Sequence, residues 1–201
     1  MSSHSVFSGY KILLEELKTL NNETEGKVIA DSPDEFIARN VNFFTKSFMI
    51  TLCAYLESFL KDISMTIVED ANIKLSTSKI AYNLVKWSVQ RKKELGELPD
   101  SDLKFEDLSI KITKKELDGF ISGSPYKTES LFKKIGIKLF EDPVYIDQKE
   151  KMIYIVEKRN KIVHHNDNAS DISFSDIDNN IDLTILYMEN LNRLVNIELS
   201  K

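Results

Sequence analysis

The sequence predicts an all-α fold on three observations. Apolar residues recur at helical spacing along most of the chain, and no segment shows the strict alternation of a half-buried strand. Glycine and proline are scarce, at 6 and 4 of 201 residues, so few points force the chain out of helix. No internal repeat is visible, which argues against a solenoid. The length suits one domain over residues 1–201, and 42% hydrophobic residues can form a sizeable core without covalent staples.

The elements follow in order. Residues 5–20 form a first helix, with Ile12, Leu13, Leu17 and Leu20 on one face. The polar stretch 21–31 is expected to be a loop. Ser32 suits an N-cap, and Pro33 suits the first helical position, where its missing N–H costs nothing. A long second helix then runs to about Asp70, with Phe48, Leu52, Leu56, Phe59, Ile63 and Ile67 as its stripe. Between residues 43 and 60 it is apolar on most sides, the pattern of a central buried helix, and Glu57 is the one acid there.

A third helix is expected over residues 77–95, with Trp87 facing the core. Residues 96–125 are broken and polar. Within them Thr113 and Glu116 have capping-box spacing for a short helix, which Gly119, Gly123 and Pro125 end. A short helix over residues 126–135 follows. Asp142-Pro143 marks a turn before a helix over 146–165, which Asn166-Asp167-Asn168 stops. Ser175 is positioned to cap a last helix to residue 199, striped by Ile177, Ile181, Ile185, Met188, Leu191 and Val195. The sum is a helical bundle with an irregular insertion in its middle.

Charge marks that insertion. The chain is acidic, at a formal net charge of −5, which argues against a dedicated nucleic-acid coat protein. Residues 74–138 are the exception, with 14 Lys/Arg against 9 Asp/Glu. Such a segment is either a docking surface for a polyanion or a solvated lysine-rich face. The single cysteine, Cys53, excludes an internal disulfide framework and lies in an apolar run, where a small buried hydrophobe is expected. Met1-Ser2-Ser3-His4 does not begin a secretory leader, and no uncharged apolar run reaches the ~20 residues of a membrane span. Residues 43–60 come nearest, interrupted by Lys46 and Glu57. A cytoplasmic protein without membrane association is the expectation.

The chemistry gathers near residue 160. In the helix over 146–165, Met152, Val156 and Val163 share a stripe, and Arg159 falls in it where a hydrophobe belongs. A guanidinium there must be paired or line a cleft, because a buried unpaired charge is costly. Arg159 and His164 lie about 140° apart around the axis, and Asn160 shares a face with His164. Two of the three histidines are His164 and His165. A bland reading also fits, since histidines at a helix C-terminus favour the dipole. Glu57 and Arg159 are two misplaced charges that are expected to meet, either to fix the arginine rotamer or simply to pack two helices together. No glycine-rich phosphate loop, zinc-ligand spacing, nucleophile elbow or recognisable Mg²⁺ carboxylate pattern accompanies them, so no metal or cofactor is expected.

Arg159-Asn160-Lys161-Ile162-Val163-His164 resembles the Arg-polar-x3-His motif of the HEPN superfamily. Leu131-Phe132-Lys133-Lys134-Ile135-Gly136, leading into Val156-Glu157-Lys158-Arg159-Asn160, resembles the RiboL-PSP-HEPN branch and its stand-alone bacterial relatives. Tyr55-Leu56-Glu57-Ser58-Phe59-Leu60-Lys61-Asp62 is similar to the long second helix of that branch. The resemblance covers helices two through six; many relatives carry glycine where this chain has His165.

The resemblance implies a homodimeric, metal-independent endoribonuclease with two Arg–His motifs facing across the dimer axis. It also implies a toxin or antiviral effector, with a cognate antitoxin or defence partner. The residue types suit that chemistry. The RNA 2′-hydroxyl already sits beside its phosphate. An imidazole such as that of His164 exchanges protons near neutral pH, and Arg159 is a bidentate phosphate ligand. Asn160 would orient a phosphate oxygen or the histidine, with Glu57 in support, and His165 is either a second titrating group or a helix-end residue. Lys158, Lys161 and His165 beside the motif, and Arg91, Lys92 and Lys93 in the basic middle, are the expected RNA contacts. The alternative is a non-catalytic HEPN module that binds a nucleotide or partner protein and uses Arg159 as an anion anchor. A purely structural helical dimer is a third reading.

Overall fold

The computed structural model describes residues 2–78, 84, 110–165 and 170–201. The described elements are helical, with no strand among the described residues. Helix α1 spans Ser3–Ile29, and the Ser2 hydroxyl caps it by accepting from the Ser5 N–H at 3.2 Å. It continues through the polar stretch that was expected to be a loop. Two buried polar side chains of that stretch bond within the fold: the Asn21 amide nitrogen donates to the Phe174 carbonyl at 2.9 Å, and the Thr24 hydroxyl donates to the Leu20 carbonyl at 2.7 Å. Its buried face carries Val6, Leu14 and Leu17, while Ile12 and Leu20 are exposed, so the face is rotated from the expected one.

The expected second helix is two. Asp34, not Ser32, caps the short α2, Glu35–Arg39, by accepting from the Phe36 and Ile37 N–H groups at 2.9 and 3.1 Å. Asn40 then ends α2, its side-chain amide donating back to the Phe36 carbonyl at 2.7 Å. Helix α3, Val41–Ser76, starts afresh and runs past Asp70. It is long and apolar enough to cross a membrane by composition, but here Leu52, Leu56, Phe59 and Ile63 form the core and α1, α6 and α7 (bounded below) pack around it. Each such side chain contributes about 1.5–3 kcal/mol by leaving water. Thr77 lies in a turn. Within the expected third helix Leu84 is helical; its residues 79–83 and 85–95, with Trp87, Arg91, Lys92 and Lys93, fall outside the described residues.

Helix α4, Lys114–Leu117, has the expected capping box between Thr113 and Glu116. Helix α5, Pro125–Lys134, begins on its proline and ends at Gly136, whose φ of +92° suits a residue without Cβ. A 3₁₀ turn over Leu139–Glu141 leads to α6, Pro143–His165. That helix starts one turn earlier than expected because the Asp142 carboxylate accepts from the Tyr145 N–H at 2.8 Å. Ser173, rather than Ser175, caps α7, Phe174–Leu199, in a capping box with Asp176. Helix α7 packs against α1, α3 and α6, and α3 also packs on α1 and α6. Ile177, Ile181, Met188, Leu191 and Val195 of α7 close the core.

Candidate active site at the α3–α6 junction

Helix α6 sets the frame. Met152, Ile155 and Val156 lie in the core, and Ile162 is buried one to two turns later. Val163, expected in the same stripe, is 48% exposed. The helix emerges from the core over its last turn, so the stripe that begins at Met152 reaches the surface at Val163. Arg159 sits where that change occurs.

The Arg159 side chain is 16% exposed, and its Nη2 donates to Glu57 Oε1 on α3. Glu57 is 30% exposed. The two charges thus meet at the edge of the core, and each removes the cost of leaving the other unpaired. Cys53 lies one turn before Glu57. Burial pushes its thiol up to about 11, against the downward pull of the nearby Arg159 guanidinium. The guanidinium therefore rests on α3 between an acid and a thiol.

A loop closes one side of this pair. Gly123 precedes α5 with φ +70°, a conformation that side chains rarely adopt. A Cβ there would come within 3.2 Å of Val156 Cγ2 and 3.8 Å of Glu57 Cγ. Glycine is what lets the backbone pass this close to the ion pair. Gly123 was legible in the sequence only as a helix breaker, and its contact with Glu57 required the tertiary fold.

The remaining residues divide. His164 is exposed on the last turn of α6, and Lys161 is exposed beside it; Asn160 is half-buried. Lys158 is different: it is 6% exposed, and its Nζ donates to Asp171 Oδ1 at 2.6 Å. It ties α6 to the turn before α7 and is not presented to a bound polyanion. Its position gave the signal, three residues after Ile155 and four before Ile162, which is core spacing. His165 closes the helix, but its side chain lies outside the described residues, as do Arg91, Lys92 and Lys93.

The arrangement sets a guanidinium braced by Glu57 and an exposed imidazole five residues apart at one helix end. Among the described residues, no group of three or more His, Cys, Asp or Glu side chains is placed to hold a metal ion. A family model described as RiboL-PSP-HEPN matches residues 10–196, a span that includes Glu57, Arg159 and His164. No curated protein and no solved structure matches the chain.

Proposed function

The chain belongs to the RiboL-PSP-HEPN family, and on that premise we propose that it is a metal-independent endoribonuclease whose site is built on Arg159 and His164. HEPN domains are typically RNases, generally bind RNA and often dimerise. We read residues 1–201 as one such domain, acting in the cytoplasm as a toxin or antiviral effector.

The observation that carries the reading is the pairing of motif and placement. Arg159-Asn160-x3-His164 lies inside the family match, with the guanidinium braced at the edge of the core and the imidazole exposed. In the proposed reaction the RNA 2′-oxygen bonds to its adjacent phosphorus while the bond from phosphorus to the 5′-oxygen breaks. One His164 takes the 2′-hydroxyl proton or supplies a proton to the leaving 5′-oxygen; a second copy supplies the complementary transfer. Arg159 neutralises the charge that builds on the phosphoryl oxygens. Asn160 orients a phosphate oxygen or the imidazole, and Lys161 lies beside the path of the strand. The products are a 2′,3′-cyclic phosphate and a 5′-hydroxyl.

The test is cleavage of RNA by the purified protein in EDTA, with His164→Ala beside it. Loss of a proton-transfer group costs about 10²–10⁴ in rate. Cyclic-phosphate ends and resistance of a substrate with 2′-deoxyribose at the cleavage site are expected. Equal cleavage by His164→Ala, or dependence on Mg²⁺, would replace this reading with that of a non-catalytic module in which Arg159 only anchors an anion.

A further inference from the structure

Arg159 does not stand open to solvent. Its guanidinium is bonded to Glu57, rests near the buried Cys53, and leaves 16% of the side chain exposed. A phosphate needs two guanidinium N–H groups in a fork. Glu57 already holds one of those donors, Nη2, through its Oε1. The two anions therefore compete for one cation.

We propose that Glu57 is an internal occupant of the Arg159 anion site, which an incoming phosphodiester must displace. The inference rests on the reading of Arg159 as the phosphate ligand and adds how access to it is controlled. Three features suit a displaceable occupant. Glu57 is 30% exposed, so its carboxylate can swing into water without becoming a buried unpaired charge. Its stem is held from one side: the Gly123 backbone passes close to Glu57 Cγ, which narrows the directions of departure to the solvent side. Its cation stands on α6, whose Met152, Ile155 and Val156 lie in the core, so the helix that carries Arg159 is held independently of the acid.

The displaced state gains a phosphate contact and loses a carboxylate contact, so the exchange is nearly balanced. A monoanion that binds Arg159 alone gains little. A polyanionic strand that also meets Lys161 and other cations gains more. The acid thus raises the threshold for simple phosphates more than for an RNA strand, and acts as a specificity element. It is a positioning residue in the resting chain and takes no proton in the reaction.

The experiment compares parent, Glu57→Gln, Arg159→Ala and the double variant. Each is titrated with inorganic phosphate and with an oligoribonucleotide carrying 2′-deoxyribose at every position where it would be cut. Glu57→Gln keeps the side-chain shape and removes the charge. It should tighten phosphate binding about tenfold, with a smaller gain for the oligonucleotide, and should lower KM. The gain should vanish in the double variant, because it acts through Arg159. Glu57→Ala, which removes the occupant outright, should show the same direction, and melting curves establish that each variant is folded at the temperature of measurement. If Glu57→Gln leaves affinity unchanged or weakens it while Arg159→Ala weakens it, Glu57 only braces the arginine and the proposal is overturned. A fall in kcat with KM unchanged overturns it in the same way. Tighter binding through Arg159 by a protein that cuts no RNA sustains the proposal and sinks the nuclease reading instead.

Discussion

Arg159 and Lys158 are neighbours in sequence with opposite placement. Arg159 is braced by Glu57 at the edge of the core. Lys158 is buried, and its partner Asp171 is 63% exposed. Replacing Lys158 with alanine should therefore act on stability. Its alkyl stem loses packing, while Asp171 stays hydrated, so a cost of roughly 1–2 kcal/mol is expected. Thermal melting reads that cost, and RNA affinity at fixed salt should not change; a loss of affinity in a fully folded variant would return Lys158 to the RNA surface. Arg159→Lys is the contrasting substitution. It keeps the charge and loses the planar fork, so cleavage should fall about 10²-fold with little change in melting temperature. Cleavage at the parental rate would show that only a positive charge is needed there.

At the scale of elements, the chain's helices are held at their ends by side chains that carry local rules and by one that does not. Asp142 caps α6 and also accepts from the Asn190 amide at 3.0 Å and from Arg193, both on α7. Burial alone would raise its carboxyl. Hydrogen bonds from Asn190 and the Tyr145 N–H, together with Arg193, hold it below the ordinary aspartate value. A carboxyl lowered by folding stabilises the fold above its unfolded pKa, about 4, and that contribution is lost as pH falls through the lowered folded value. Asp142→Asn keeps a capping oxygen and removes the charge facing Arg193. It should cost about 1 kcal/mol at pH 7, and the difference from the parent should shrink below pH 4; melting at pH 7 and pH 3 reads both. Such links explain what was legible. The Thr113–Glu116 box and the α7 stripe depend on residues three or four apart, so the sequence showed them. The reach of α1 past Leu20 depends on Asn21 meeting Phe174 across the bundle, which no local pattern encodes. The misplaced charges at 57 and 159 were visible as exceptions to their stripes, and their contact was inferable. Gly123 beside them was not, because its role lies in a close approach between distant segments.

The whole molecule sets a further condition on the proposed chemistry. One chain offers one Arg159 and one His164, whereas cleavage through the 2′-oxygen needs one proton removed and another supplied. A two-fold dimer brings two copies of each group to one phosphate, because an isologous interface repeats every contact. The end of α6 is suited to that interface: Val163 lies between the two motif residues and is 48% exposed, an apolar side chain without a core role. A two-fold axis passing near it would bury it against its copy. The expected outcome is a homodimer by light scattering across a concentration series. Val163→Asp should give monomers, since it places like charges on either side of the axis, and cleavage should fall with the dimer. The fold should survive, because an exposed position away from the core usually tolerates substitution within about 0.5 kcal/mol. Mixing the parent with inactive His164→Ala then tests the shared site directly: if both histidines serve one phosphate, mixed dimers are inactive and activity falls below the parent's share of the chains; if each copy works alone, mixed dimers keep half their activity. A parent protein that stays monomeric at high micromolar concentration and still cleaves RNA would rule out the shared site.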